Sequence, residues 1–300
     1  FQTMLWAPMM RTLSMHFSGE KLVFASFSMS VTLVIGYIGA WAGSTVLQNL
    51  FGWKMIFLAP ALLALVFCIV WIFLFPLEKK SAVVSATSTS VLSGNSALFH
   101  NTRLLGFLIL ILGLAVSLGM VKESINVWLP SLITELDIFS AKSSVFIYIC
   151  IPLINFLGIL FSRAMIGRLQ GNVYRTVHFV WFIGLCAVSL LMASFWINNI
   201  LVLLFLVLVF SLMFALTPLF TSFIPLGFRK WDCVSTVTGL VDFAIYIGAA
   251  LSSVLSGFIL GDTKNWKALG GFWTVVLASG FVLNIVVCRI YRTILREKLE

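Results

Sequence analysis

Three ionisable residues stand where ionisable residues are expensive. Lys122, Glu123 and Asp242 fall inside long apolar runs of a 300-residue chain. A charge in the core of a bilayer costs about 3 kcal/mol or more unless it is paired or wet. Lys122 and Asn126 are four residues apart and share a helix face, which Ala115 and Gly119 continue. Small residues beside an ammonium and an amide describe a wall facing a polar cavity, and the ammonium suits an anionic small molecule. The structural alternative is an ion pair of Lys122 with Glu123 or another acid that locks helices together. Glu123 and Asp242 are accordingly read as proton-coupling sites or as counter-ions of a nearby base.

Further along the chain, Phe214, Thr217, Pro218 and Thr221 share one face of another apolar run. The two hydroxyls could bond a ligand or their own helix's carbonyls, and the proline would kink the helix. No CxxC, HExxH, GxSxG or Walker pattern occurs, so the sequence offers no support for an enzyme, a metal site or a cofactor. The five cysteines have no metal-type spacing, and four lie within apolar runs. His16, His100 and His178 lie in or near the links between runs and take no role.

The elements that hold these residues follow from composition. Apolar residues make up 61% of the chain and charged residues 10%, against about 25% charged in a soluble domain. Mean hydropathy is +1.11. Such a chain has lipid as its main solvent. Soluble enzymes, disordered proteins and disulfide scaffolds are excluded. So are transmembrane barrels, whose strands alternate apolar with polar residues. After a partial helix at 1–10, eight apolar runs follow at 21–47, 54–77, 104–128, 143–162, 176–196, 201–224, 234–260 and 268–289. Each is long enough to cross a hydrocarbon core of about 30 Å, and without water for the backbone each is expected to be helical.

The net charge of +9 is explained by topology and not by nucleic acid. With Arg11 on the inner side, fourteen basic residues fall in inner links and four (Lys54, Lys142, Lys264, Lys267) in outer ones. That asymmetry obeys the positive-inside rule. The longest inner link, 78–103, is rich in Ser and Thr and reads as a flexible linker. The chain opens at Phe1 within an apolar stretch and shows no signal-peptide layout. It is read as a fragment whose first spans are missing.

An internal repeat supports that reading. Tyr37-Ile38-Gly39-Ala40 returns as Tyr246-Ile247-Gly248-Ala249, 209 residues on, and both segments end in Trp-Lys (Trp53-Lys54, Trp266-Lys267). Pro8 and Pro218 are similarly offset. Two copies with one membrane orientation imply a parallel repeat about the membrane normal. Gly36, Gly39, Gly43, Gly248 and Gly257 are read as sites of close helix packing.

Two six-helix halves, a parallel repeat and an inner linker resemble the major facilitator superfamily. The branch it is most similar to is the organophosphate:phosphate antiporters, which include glycerol-3-phosphate and hexose-phosphate transporters. The residues carrying the likeness are Trp6-Ala7-Pro8 with Arg11-Thr12, Lys122 with Trp128-Leu129-Pro130-Ser131, and Thr238-Gly239-Leu240 with Tyr246-Ile247-Gly248. The resemblance implies an all-α membrane protein, a major facilitator-type bundle with about nine of twelve helices present. Residues 1–77 would be the fourth to sixth helices, 78–103 the cytoplasmic linker, 104–289 the C-terminal six-helix half and 290–300 a cytoplasmic tail. It also implies that the first, fourth, seventh and tenth helices line the cavity, which adds Gln2 and Trp6 to Lys122, Asn126, Phe214, Thr217 and Thr221 as candidate substrate-binding residues.

Two positions depart from that branch. Lys122 stands where its transporters carry an arginine, and Thr32 where a histidine is expected. The expected activity is alternating-access secondary transport of small organic anions, organophosphates among them, by a monomer in the cell membrane. The alternatives are a proton-coupled sugar or drug carrier and a transporter-like ligand sensor.

Overall fold

The computed structural model describes residues 2–17, 19–74, 102–136, 141–261 and 264–292. Nine long helices run through these segments. They are α1 (Gln2–His16), α2 (Gly19–Phe51), α3 (Met55–Leu74), α4 (Thr102–Glu135), α5 (Ala141–Arg168), α6 (Val173–Ser194), α7 (Asn199–Pro218), α8 (Val234–Leu260) and α9 (Trp266–Ile290). Eight of the helices are long and apolar enough to cross a membrane; α1 is not among them. No strand occurs among the described residues. The molecule is an all-α membrane bundle.

The boundaries follow local chemistry. Asn172, Asn198 and Asn265 each accept a backbone N–H in the first turn of the next helix (Arg175 at 3.0 Å, Ile200 at 2.9 Å, Ala268 at 3.1 Å). This supplies the donors' missing partners. Helices α1 and α4 outrun the apolar runs that announced them. Helix α1 continues past Arg11 to His16, and α4 runs through Pro130 to Glu135. Thr102 and Arg103 belong to α4 and not to the linker. The remainder of the 78–103 linker, together with 293–300, lies outside the described residues. At Pro218 the missing N–H breaks the α pattern, and a π-helical turn, Leu219–Phe223, precedes a last turn, Ile224–Leu226.

Helix α4 is the hub. It packs on α8, α9 and α7. Gly119 and Gly248 explain the closeness of α4 and α8: a Cβ on Gly119 would run into the Ile245 carbonyl, and one on Gly248 into the Val116 carbonyl. The Ala115–Gly119 stretch therefore faces a neighbouring helix and not a cavity, because only a side-chain-free surface lets two backbones approach so near. The other glycines expected to pack (Gly36, Gly39, Gly43, Gly257) meet open space among the described residues. A buried hydrogen-bond chain fixes the rotation of α4. Trp273 Nε1 donates to Ser124 Oγ at 2.9 Å, Ser124 donates to Ser256 at 3.2 Å, and Ser256 donates to the Ser252 carbonyl. At the C-terminal end of α4, Glu135 accepts from Trp266 Nε1 at 2.7 Å and pairs with Lys264 at 3.1 Å.

The first three helices attach along two seams. Helix α1 packs on α8, and α2 on α5. Along the second seam the Arg163 guanidinium sits 5.4 Å from the Phe27 ring, and Phe27 meets Phe223 at 5.1 Å. Helix α3 packs on α2 and turns Phe57, Phe67 and Phe73 outward, as suits a lipid-facing span.

Candidate functional site

A cavity of about 80 Å³ opens where α1 and α2 meet α4, α7 and α8. Seven of the nine residues singled out in the sequence line it: Trp6, Lys122, Glu123, Phe214, Thr217, Thr221 and Asp242. Asn126 lines a smaller adjoining cavity, which shares Tyr37 and Phe214 with the first. Gln2 lies in α1, but its side chain falls outside the described residues.

The charges are arranged unequally. Lys122 Nζ pairs with Glu123 Oε1 at 2.9 Å. Asn126 Nδ2 donates to the other carboxylate oxygen at 3.3 Å. Neighbours in sequence on a helix point about 100° apart, so the pair closes only because the long lysine bends back over the adjacent side chain. Lys122 Nζ also lies 5.4 Å from the centre of the Phe214 ring, within cation–π range. Asp242 reaches the same cavity from α8, and among the described residues its carboxylate has no hydrogen-bond or ion-pair partner. The site thus holds one neutralised pair and one further carboxylate.

The α7 face is built around the proline. Thr217 Oγ1 donates to the Met213 carbonyl at 3.2 Å, and Thr221 Oγ1 donates to the Thr217 carbonyl at 3.0 Å. Both hydroxyl protons are thereby used within the helix, and each oxygen keeps acceptor capacity toward the cavity. Trp6 Nε1 donates to the Thr221 carbonyl at 3.2 Å. This bond ties α1 to the π turn that follows Pro218. Beneath it, Met10, Met29 and Val234 form a separate buried cluster with Trp6, Leu13 and Leu226. This contact joins α1 and α2 to the ends of α7 and α8 on the Arg11 side of the cavity.

Tyr37, Tyr246 and Asn155 were not singled out in the sequence. Tyr37 and Tyr246 line the main cavity from α2 and α8, and Tyr37 meets Phe214 edge-on at 6.0 Å. The signal was present, since these are the first residues of the two repeated Tyr-Ile-Gly-Ala motifs. Asn155 lines the smaller cavity from α5, and among the described residues its buried Oδ1 has no hydrogen-bond partner. A lone Asn in an apolar run gives no comparable signal. Thr32 lies away from the site and donates to the Met29 carbonyl at 2.6 Å.

Helices of this length, bundled around a largely apolar cavity that holds three charged side chains, define a multi-pass membrane protein. The chain belongs to the Major Facilitator Superfamily, whose family model matches residues 1–251. Its members are secondary transporters, so a small-molecule substrate and a lipid bilayer are this chain's natural partners. No curated protein matches the chain.

Proposed function

We propose that the chain carries a small organic solute by alternating access, with the solute held in the cavity between α1–α2 and α4–α9. Asp242 couples its passage to a proton or to a positive charge on the solute itself. The carrying observation is the charge count of the cavity: Lys122 is already neutralised by Glu123, and among the described residues Asp242 stands without an ion-pair or hydrogen-bond partner. A carboxylate in that position is relieved by a proton or by a cation. The other ionisable groups facing it are Lys122 and Glu123 from α4, Tyr246 from α8 and Tyr37 from α2. Trp6, Tyr37, Phe214 and Tyr246 supply the apolar and π surface for the solute's body.

A second reading keeps the solute anionic, organophosphates included. It is favoured by the Lys122 ammonium at the cavity wall, which an entering anion would take from Glu123 while Asn126 still held the carboxylate. Uptake into proteoliposomes separates the two. With a panel of amines, sugars, carboxylates and sugar phosphates, an imposed pH gradient should drive saturable uptake of an amine or neutral solute. Asp242→Asn should abolish the gradient's effect and spare solute exchange. Phosphate-ester exchange that ignores the gradient and is lost in Lys122→Gln would establish the anion reading instead. A folded protein that takes up nothing saturably from the panel would reject transport through this cavity.

A further inference from the structure

A second cavity, of about 230 Å³, lies at the inner ends of α6 and α9, far in sequence from the transport site. Arg175, Arg289 and Arg292 line it with His178, Cys288 and Ile285. No acidic residue lines it among the described residues. Arg175 belongs to the first turn of α6, so the positive end of that helix adds to the field. The floor is held in place. His178 Nδ1 lies 2.8 Å from Asn284 Oδ1, and the His178 ring stacks on Phe281 at 5.1 Å.

Topology alone asks only for basic residues on the inner side, scattered among the links. Here three guanidiniums from two helices converge on one hollow. Guanidinium groups favour phosphate over other anions, because their paired N–H groups match its oxygens. The surface around the hollow names the source of the phosphate. One to two turns toward the bilayer centre, α6 exposes Phe179 and Phe182, and α9 exposes Val282 and Val286. These residues lie at helical spacings of three to seven from Arg175 and Arg289, and so continue the same faces. A basic hollow above an exposed apolar track has the polarity of an anionic phospholipid, headgroup first and acyl chain after.

We propose that the hollow between α6 and α9 binds the phosphate of an anionic phospholipid of the inner leaflet, with an acyl chain lying along Phe179, Phe182, Val282 and Val286. The assignment stands independently of what the transport cavity carries.

Thermal unfolding of the detergent-purified protein, titrated with cardiolipin, phosphatidylcholine or inorganic phosphate, tests it. Cardiolipin should raise the midpoint by about 3 °C or more, since a ligand that binds only the folded state stabilises it by mass action. Phosphatidylcholine and inorganic phosphate should leave it unmoved. The rise should shrink at high salt and vanish in R175Q/R289Q/R292Q, and persist in K264Q/K267Q at the outer end. Should the triple variant fail to fold, R292Q alone should lower the rise by at least half. Equal rises with phosphatidylcholine, or a rise untouched by salt and by the arginine substitutions, would overturn the site. A rise given by inorganic phosphate alone would replace the lipid with a soluble phosphate ligand and overturn the proposal.

Discussion

At the residue scale the decisive feature is the asymmetry between two carboxylates that line one cavity from different helices. Glu123 spends its charge on Lys122, and Asp242 keeps its own. Removing Lys122 alone leaves the half-buried Glu123 carboxylate with the Asn126 amide among the described residues, a loss smaller than the cost of about 3–5 kcal/mol in fully buried pairs. Lys122→Ala should therefore lower the detergent unfolding midpoint, and Lys122→Ala with Glu123→Ala should restore it. If transport also returns in the double variant, the pair is structural and the solute does not need the ammonium. If stability returns without transport, Lys122 contacts the solute. Lys122, Glu123 and Asp242 were legible from sequence because charge in an apolar run is rare and expensive. That Lys122 turns to its own neighbour was not, since periodicity assigns a face and says nothing of how a four-carbon stem bends. Asn126 shows the same limit: it shares the Lys122 face yet looks into the smaller cavity.

At the element scale the helices were legible and their contacts only partly so. Every apolar run is helical over its described residues, because lipid leaves the backbone no other partner. The overrun of α4 to Glu135 was hidden, since Pro130 and the polar residues after it look like an exit. The helix tolerates the proline and is held beyond it by Glu135's contacts with Trp266 and Lys264. Glycines illustrate the difficulty best. Five were read as packing sites, and of these only Gly248 meets a backbone, while Gly119, read as part of a cavity wall, meets another. A glycine advertises that close approach is allowed, and the partner's position decides whether it is used. Gly248→Leu should force α8 off α4, with an overpacking cost of about 1–3 kcal/mol or more and a matching fall in the unfolding midpoint. Gly257→Leu, which meets nothing, should leave the midpoint within about 1 °C. Equal falls from the two would mean that the added side chain itself, and not the α4–α8 contact, governs the loss, since leucine is the better helix former.

At the scale of the whole molecule the question is which side of the membrane each end of the cavity faces. The positive-inside asymmetry predicts Arg11, Arg229 and Lys230 on the cytoplasmic side and Lys54 and Lys264 outside. The structure adds that α1 and α2 meet the ends of α7 and α8 at the Arg11 end, through Trp6, Met10, Met29 and Val234. Together they predict a cavity shut toward the cytoplasm in this conformation. Exposed positions on each face make the test direct. With Cys68, Cys150, Cys186, Cys233 and Cys288 replaced, a single cysteine at Trp53 or Lys264 should react with a membrane-impermeant maleimide on intact cells. One at Lys230 should react only after the membrane is opened. A cysteine at Ser88, in the linker outside the described residues, should behave like Lys230. Labelling of Lys230→Cys or Ser88→Cys from outside would invert the topology, and the basic hollow between α6 and α9 would then face the outer leaflet. The α1–α7 contact gives a second reading in the same experiment. A cysteine at Thr217 should be protected from a reagent on the cytoplasmic side while Trp6 holds the Thr221 carbonyl. Trp6→Ala, which removes both that bond and the ring above Met10, should raise its labelling rate from that side severalfold. An unchanged rate would show that the cluster of Met10, Met29 and Val234 closes the cavity without the tryptophan.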